Sequence, residues 1–392
     1  MKRILFCLGI ISLTMFAIVL FFLHPSVKKY RYNDSFIIRV RIAKPVASVD
    51  ISSRGSCDLK KPSTGEILVR GMDLRKKIRV IAREGKIDIG QRDLNENAVR
   101  ISPRNASGFC FNGTEYRGEL DITANGELIE AVNRVGLEDY LKGVVPREVY
   151  HFWPMSALKA QAVASRSYAV FEASRRKKRD YDLTSDTFTQ VYGGRSAERL
   201  RTTSAVEATR GKVLVYEDKF IPGYFHASCG GHTASISKVW NGPDSEPFQG
   251  VRSNYCRWSP SFRWRARVPT KIILEKLNNS GYGFDRIDDI RIGKRDTSGR
   301  LEYLRIRSRN KWFEIPIGDF MKAIGATTLK SSNFRVRKYP VFYDFDGYGW
   351  GHGVGMCQWC AFGLSLRGWD YERILEYFYP GAKVALRVSQ GI

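Results

Sequence analysis

Residues 154–175 read PMSALKAQAVASRSYAVFEASR and form the clearest helical stretch of the sequence. Pro154 suits the first position of a helix, because that position needs no N–H donor. The many alanines allow other elements to approach the helix closely on several sides, so we predict that it lies at the centre of the fold. The basic run 175–179 ends it, either as a solvated helix end or as a patch that binds an anionic surface.

The segments around this helix predict a mixed architecture. Residues 36–135 alternate apolar and polar side chains in short runs broken by Gly, Pro, Asn and Asp. Such runs are typical of β-strands, predicted here at residues 37–42, 67–69, 78–81 and 120–122. Further on, strands are predicted at residues 212–216 and 222–226, and a helix at residues 271–278. We therefore predict an α+β fold, with a β-rich N-terminal portion (residues 35–135) before a mixed portion (residues 136–390).

The first 28 residues have the composition of a membrane segment. Residues 4–23 carry no charge and follow Lys2 and Arg3. A helix of this length spans about 30 Å, which is the thickness of the apolar core of a bilayer. A cleaved signal peptide is the alternative, but residues 22–26 lack the small residues that a signal peptidase prefers. We expect one transmembrane helix in the inner membrane and a body in the periplasm or extracytoplasmic space.

The charge of the chain favours an anionic partner. Sixty-four Lys and Arg stand against 40 Asp and Glu, which gives a formal net charge of +24. Nucleic acid, a lipid surface and cell wall all fit this charge. A nucleic-acid binder would need a basic reading helix, which the alanine-rich helix does not offer. We therefore expect no nucleic-acid partner.

The cysteines leave two alternatives open. One of the seven, Cys7, lies in the uncharged N-terminal run, and the other six could form up to three disulfides in an exported chain. His226, Cys229, His232 and Cys256 have spacings that suit a metal, but we favour a disulfide between Cys229 and Cys256. The C-x-x-C pair at 357 and 360 resembles half a zinc site or a redox pair. We predict no metal cofactor, with zinc as the alternative.

Glu148 is the candidate proton-transferring residue. It follows Pro146 in a predicted loop and precedes the aromatic segment 150–153. Apolar neighbours would desolvate the carboxyl group and raise its pKa, whereas a surface glutamate that caps the next helix is the alternative. Lys159 and Arg166 are seven residues apart on the helix, so both project from one face and could flank Glu148. The alternative is that Lys159 and Arg166 are ordinary basic residues that face solvent.

Two other patterns are weaker. Ser156 and Lys159 match the S-x-x-K pattern of penicillin-binding acyl enzymes, but the chain has no K-T-G, and residues 185–187 lack the asparagine of S-D-N. Alternating glycines in residues 349–356 predict a tight backbone that presents Trp350 and His352. This segment lacks the strand–glycine loop–helix context of a phosphate-binding loop.

Several segments together resemble a known family. They fall in the family's order over roughly residues 35–390 and closely resemble the stage II sporulation protein D family, which includes the amidase-enhancer (LytB) proteins. The matching segments are residues 138–148, 153–154, 157–168, 190–194, 209–211, 224–233, 349–358 and 374–382.

The resemblance implies a peptidoglycan lytic transglycosylase. Such an enzyme cleaves between N-acetylmuramic acid and N-acetylglucosamine, here on glycan strands without stem peptides, and leaves 1,6-anhydro ends during wall remodelling or cell division. The alternative is a non-catalytic peptidoglycan-binding activator of a cell-wall amidase. The family's catalytic glutamate falls on Glu148, and its functional lysine and arginine fall on Lys159 and Arg166. The other predicted substrate-binding residues are Tyr192, His226, Ser228, His352 and Gln358, with Trp240 and Trp350 as sugar-stacking surfaces.

One departure from the family concerns metal. Some members carry a Cys/His zinc cluster around a T-H-C-Q-V-Y segment, but this chain has Phe188 and Thr189 at the His and Cys positions. These side chains do not supply zinc ligands, so no metal is expected at that place. Cys360 also replaces a small residue that is usual in the family.

Overall fold

A computed structural model describes residues 36–104, 108–176 and 179–386 of the chain. The predicted α+β class is confirmed, since long sheets and eight α-helices occur together in these ranges. The predicted membrane segment at residues 4–23 lies outside the described residues. Within them, no helix combines the length and apolar character needed to cross a membrane.

The helices are mostly short. The described α-helices are α1 (Leu137–Glu148), α2 (Met155–Arg175), α3 (Leu200–Ala208), α4 (Ile236–Trp240), α5 (Thr270–Asn279), α6 (Ile317–Ile324), α7 (Gln358–Ser365) and α8 (Tyr371–Phe378). The predictions of α2 and of a helix at residues 271–278 are confirmed, although Pro154 caps α2 instead of opening it.

Two sheets built mainly from the described strands before α1 share one core. Their strands pair antiparallel, except that an edge strand after α2, β13 (Leu183–Thr184), pairs parallel with Ile37–Val46. Strands form at all four predicted places, residues 37–42, 67–69, 78–81 and 120–122, and alternate side chains point into the core in all but the second, which has no buried residue. The strands are β1 (Ile37–Val46), β2 (Ser48–Ser52), β3 (Ser56–Lys60), β4 (Ile67–Asp73), β5 (Ile78–Arg83), β6 (Lys86–Ile89), β7 (Arg92–Asp93), β8 (Ala98–Pro103), β9 (Phe109–Phe111), β10 (Thr114–Tyr116), β11 (Glu119–Asn125) and β12 (Leu128–Gly136). The sheet orders are β13-β1-β12-β11-β8-β3-β4 and β10-β9-β2-β5-β6-β7.

The C-terminal half contains four smaller sheets. Their orders are β15-β14-β24, β16-β23, β17-β22-β21 and β18-β19-β20. With the outer strand β13, the strands are β13 (Leu183–Thr184), β14 (Lys212–Tyr216), β15 (Lys219–Phe220), β16 (Phe225–His226), β17 (Arg263–Pro269), β18 (Asp289–Arg295), β19 (Leu301–Ser308), β20 (Lys311–Pro316), β21 (Phe334–Lys338), β22 (Phe342–Tyr348), β23 (Met356–Cys357) and β24 (Lys383–Leu386). The predicted strand at 212–216 is confirmed, whereas only the last two residues of 222–226 form one.

Residues 263–348 form an inserted unit that the sequence did not reveal as separate. Strands β17 to β22 and helices α5 and α6 enclose a core of their own, which includes Trp264, Leu304 and Phe345. The unit leaves the rest of the fold before β17 and returns at the glycine-rich segment that follows β22. Its two ends are adjacent, because Arg263 pairs with Tyr348.

Helix α2 is the centre of the fold, as its alanines predicted. It contacts α1, α3, α7, α8 and β14. Small side chains permit this crowding: a Cβ atom on Gly223 would lie only 2.1 Å from the carbonyl oxygen of Ala164. The backbone of the segment before β16 therefore lies directly against α2.

A buried ion pair joins α2 to α1. The Arg166 side chain is fully buried, and its guanidinium donates hydrogen bonds to both carboxylate oxygens of Glu138, at 2.9 and 2.7 Å. It also donates to the carbonyl oxygens of Val206 and Lys212. Arg166 thus fixes the start of α1 and the start of β14 against the central helix.

We predict that replacing Arg166 with Ala lowers the free energy of unfolding by about 3–5 kcal/mol, because the Glu138 carboxylate is left buried without its cation. Urea unfolding followed by tryptophan fluorescence measures the change. Arg175→Ala is the control, since this residue lies on the same helix with a mostly exposed side chain. Equal losses in the two variants would contradict a special role for the ion pair.

Candidate active site

A cavity of about 600 Å³ lies where the end of α1, the segment before β16, strand β16, the glycine-rich loop after β22 and the start of α7 meet. It is open to solvent on one side. Its lining residues are Glu148, Tyr168, Thr187, Phe188, Thr189, Gln190, Val191, Tyr224, Phe225, His226, Ala227, Trp240, Trp350, Gly351, His352 and Gln358. Among these described residues only Glu148 has a carboxylate, and none is Lys or Arg.

Glu148 is the last residue of α1, not part of a loop as its sequence predicted. Proline usually ends a helix, but α1 passes through Pro146 and ends when Val149 turns to an extended backbone. The carboxyl group is partly buried at the carbonyl end of the helix, where a negative charge is disfavoured. The end of a helix, in place of the predicted loop, therefore favours the protonated, neutral form of Glu148.

The pKa of Glu148 is raised from 4.5 to about 7. Burial is the main cause, because it removes water from the charged form. The backbone N–H of Val191 opposes this by donating a 2.9 Å hydrogen bond to Oε1. At neutral pH the group is therefore divided between acid and carboxylate, so it can give or take a proton.

Gln358 holds the end of α1 in place. Its side-chain amide donates to the backbone carbonyl oxygen of Glu148 and to Oε1 of Gln161, each at 3.2 Å. Gln161 belongs to α2, and Gln358 opens α7. Three helices are thus linked directly beneath the Glu148 carboxyl group.

Aromatic rings form one wall of the cavity. Tyr168 meets Tyr224 with ring centroids 6.1 Å apart, Tyr224 meets Trp240 at 4.9 Å, and Trp240 meets His352 at 4.8 Å. Trp240 and Trp350 are 46% and 45% exposed, so each keeps a free surface. Such surfaces suit the apolar faces of sugar rings.

Two neutral histidines lie at the far end of this wall. Burial lowers the pKa of His352 to about 4 and lowers that of His226 well below its usual value. His352 donates from Nε2 to the carbonyl oxygen of Phe225, at 2.9 Å, and accepts from the N–H of Val354. Nδ1 of His226 lies 3.2 Å from the carbonyl oxygen of Val354, and its buried Nε2 has no partner among the described residues. This nitrogen is buried inside the protein, so its lone pair is not open to the cavity.

The glycine-rich loop brings these histidines together. Gly349, Gly351, Gly353 and Gly355 all have positive φ angles, between 71° and 103°. A Cβ atom on Gly351 would lie 2.9 Å from the Cβ atom of His226. The predicted tight backbone is therefore observed, and it presses the loop onto β16.

Four predicted site residues lie away from the cavity. Arg166 is buried against Glu138 and has no surface for a ligand, so the expectation that it flanks Glu148 is wrong. Lys159 faces the ring of Tyr371, 5.7 Å from its centroid. Tyr192 is buried and donates to Asn133, and Ser228 is fully buried. The seven-residue spacing correctly placed Lys159 and Arg166 on one helix. It did not show which element packs against the face from which they project.

The cavity also contains residues that the sequence reading missed. Tyr168 and Tyr224 form the aromatic wall, and Val191 supplies the hydrogen bond to Glu148. A signal existed for Tyr168, because it belongs to segment 157–168, which resembles the family. None existed for Val191, since a backbone donor leaves no trace in side-chain chemistry.

The favoured disulfide between Cys229 and Cys256 is not present. Neither cysteine is in a disulfide, and their sulfur atoms lie 3.5 Å apart, well beyond the length of an S–S bond. Ser156 and Lys159, the residues of the S-x-x-K pattern, do not line the cavity. Their pattern therefore carries no acyl-transfer site here.

Two family models match the chain. One, described as Stage II sporulation protein, matches residues 125–216, which include Glu148. The other, described as a domain of unknown function (DUF8618), matches residues 236–355 and encloses the inserted unit.

Three relatives extend these matches. An uncharacterised protein of Brachyspira hyodysenteriae is 30% identical over 91% of this chain and 94% of its own length. The amidase enhancer of Bacillus subtilis is 29% identical over 76% of this chain, but the match spans only 48% of the enhancer. The stage II sporulation protein D of Bacillus amyloliquefaciens is 27% identical over 65% of this chain and 76% of its own length.

The raised pKa of Glu148 predicts a pH-dependent stability. Between the unfolded value of 4.5 and the folded value of about 7, the folded chain keeps a proton that the unfolded chain has lost. Stability from this group therefore falls as pH rises through that window. Glu148→Gln cannot ionise, so we expect it to be more stable than the wild type by about 1–3 kcal/mol near pH 8, with little difference near pH 4.5.

Urea unfolding at several pH values tests this expectation. Glu376→Gln is the control, because Glu376 is exposed on α8 and does not line the cavity. A Glu148→Gln variant whose stability follows the wild type at every pH would show that the carboxyl group is ionised and well hydrated.

Proposed function

The chain belongs to the stage II sporulation protein D family, and from this premise we propose that it acts on bacterial cell wall as a peptidoglycan lytic transglycosylase, with Glu148 as its catalytic residue. The observation that supports the proposal is a single, partly buried carboxyl group with a pKa of about 7 in an aromatic-lined cavity. The substrate is a glycan strand, cut between N-acetylmuramic acid and N-acetylglucosamine.

The first step uses Glu148 as an acid. The protonated carboxyl group donates its proton to the glycosidic oxygen, the bond from the muramic C1 atom to that oxygen breaks, and the N-acetylglucosamine part leaves as an alcohol. Positive charge develops on the muramic ring as the bond breaks. Glu148, now a carboxylate, stabilises this charge across a short distance.

The second step uses the same group as a base. The carboxylate removes the proton from the C6 hydroxyl of the muramic residue, and the C6 oxygen bonds to C1, which gives the 1,6-anhydro ring and restores the acid. No water is consumed. A hydrolase of the usual kind needs two carboxyl groups, whereas the described lining of this cavity holds one.

The remaining lining residues bind and orient the sugar. The rings of Trp240 and Tyr224 are in contact, and Trp350 lines the same cavity with a half-exposed ring. Gln358 is a positioning residue, because it holds the backbone of Glu148. Arg166 and Lys159 make no contact with the sugar in this scheme.

The proposed setting of the enzyme rests on the sequence prediction for residues 4–23. The uncharged residues 4–23 anchor the chain in the inner membrane, and the body works in the periplasm or extracytoplasmic space. There it trims strands without stem peptides during wall remodelling or division. A cell-wall amidase, which removes the stems, is the expected partner.

A second candidate function is a non-catalytic module that binds peptidoglycan and stimulates an amidase. The similarity to the amidase enhancer of Bacillus subtilis favours it. This candidate predicts glycan binding and amidase stimulation without any sugar product, and it assigns no chemistry to the carboxyl group of Glu148.

We predict that the purified full chain releases products with 1,6-anhydro ends from stem-free glycan strands and that Glu148→Gln releases none while it still binds the strands. Mass spectrometry identifies the products, and co-sedimentation with the strands measures binding. The wild-type rate should fall as pH rises above about 7, since each further pH unit removes about nine tenths of the protonated acid.

Anhydro products from Glu148→Gln would exclude this residue as the acid. Absence of products from the wild type on both stem-free and stem-bearing strands, together with stimulation of an amidase, would favour the second candidate.

Trp240 provides a separate test of the cavity. Trp240→Ala should weaken binding of glycan strands by about five- to a hundredfold, since an aromatic ring that stacks on a ligand contributes about 1–3 kcal/mol. Trp258→Ala is the matched control, because Trp258 is 68% exposed and does not line the cavity. Equal effects of both substitutions would place glycan binding elsewhere.

A further inference from the structure

Four buried cysteines meet behind the histidine end of the cavity. Cys229 follows β16, Cys256 lies in the loop before the inserted unit, and Cys357 and Cys360 lie at the end of β23 and in the first turn of α7. None is more than 1% exposed. Their four sulfur atoms all lie within 4.8 Å of one another, so three distant parts of the chain converge on one point.

The separations of the sulfur atoms match a tetrahedral metal site. The Cys229 sulfur lies 3.5 Å from that of Cys256 and 3.7 Å from that of Cys360. Zinc–sulfur bonds of about 2.3 Å place the corners of a tetrahedron about 3.8 Å apart. A disulfide would need about 2.05 Å and would involve only two of the four. We propose that Cys229, Cys256, Cys357 and Cys360 bind one zinc ion.

Backbone donors already point at the sulfur atoms. The N–H groups of Cys229 and Cys360 donate to the Cys357 sulfur, at 3.2 and 3.4 Å, and the N–H of Gly231 donates to the Cys229 sulfur at 3.4 Å. Cys357 also caps the N-terminus of α7. Hydrogen-bond donors and a helix N-terminus both stabilise thiolates, the form that binds metal.

A buried cation lies beside the cluster. Arg300, from the inserted unit, is 2% exposed, and its guanidinium interacts electrostatically with Cys229, Cys256 and Cys357. It donates to the carbonyl oxygen of Cys229, while its Nε atom has no hydrogen-bond partner among the described residues. Four thiolates around Zn²⁺ carry a net charge of −2. This charge adds to that of Asp296, a carboxylate that also interacts with Arg300, and so helps to compensate the buried guanidinium.

The site is structural, because all four positions are filled by buried protein ligands and none is open to substrate. Binding releases four thiol protons to solvent as four zinc–sulfur bonds form. The ion joins the segment of His226, the loop before the inserted unit and the start of α7. The ion thereby fixes the position of Gln358, which follows Cys357 in the chain and donates a hydrogen bond to the backbone of Glu148. The ion itself does not line the cavity.

The test measures metal in the full chain, purified in detergent without chelators or added metal. We expect about one zinc per chain by plasma mass spectrometry. Non-reducing peptide mapping should find none of the four cysteines in a disulfide. Replacement by Co²⁺ should give the intense sulfur-to-cobalt absorption of thiolate ligation. A chain without zinc, or one with a Cys229–Cys256 or Cys357–Cys360 disulfide, would overturn the proposal.

Single substitutions distinguish the loss of a zinc ligand from a general loss of folding. Cys360→Ala should lose the zinc, and Cys110→Ser, outside the cluster, should keep it. Arg300→Met should weaken zinc affinity by about 10–100-fold, as loss of a neighbouring group commonly does, and Arg300→Lys should restore part of it. If Arg300→Met folds and binds zinc as tightly as the wild type, the charge argument fails. These readouts need no glycan, so they stand apart from the proposed enzymatic activity.

Discussion

The candidate site depends on the desolvation of one carboxyl group, that of Glu148. Glu148 lies at the carbonyl end of α1, partly out of water, and one backbone hydrogen bond from Val191 does not offset the loss of hydration. A pKa of about 7 is the result. The same group can therefore act first as an acid and then as a base, which is the requirement of a reaction that closes a ring without water.

The rest of the fold keeps that carboxyl group where it is. The alanines of α2 let α1, α7 and the segment before β16 approach closely, and the buried pair of Arg166 and Glu138 fixes the other end of α1. Gln358 joins the end of α1 to α2 and α7. In our proposal, the zinc ion fixes the start of α7 on the side away from the cavity. The charged groups near this site thus support its geometry, while the cavity itself is aromatic and neutral.

Local patterns predicted much of this arrangement. The alternation of apolar and polar residues predicted the strands before α1, and the alanine content of residues 154–175 predicted the central helix. The apolar residues next to Glu148 in the sequence predicted that its pKa is raised. Contacts between residues far apart in the chain were not predictable from the sequence. Seven-residue spacing put Lys159 and Arg166 on one face, but only the fold shows that Arg166 meets Glu138. Likewise, no spacing rule connects Cys229 and Cys256 with Cys357 and Cys360, because their proximity is created by β16 pairing with β23.

The proposed chemistry requires that the Glu148 carboxyl group remain protonated close to neutral pH. Infrared difference spectroscopy measures this directly, because a protonated carboxylic acid has a carbonyl stretch distinct from that of a carboxylate. Comparison of the wild type with Glu148→Gln at pH 6 should show one acid band that the variant lacks, and this band should titrate with a midpoint near pH 7. An unchanged acid region, with Glu148 contributing only a carboxylate signal at pH 6, would contradict the account.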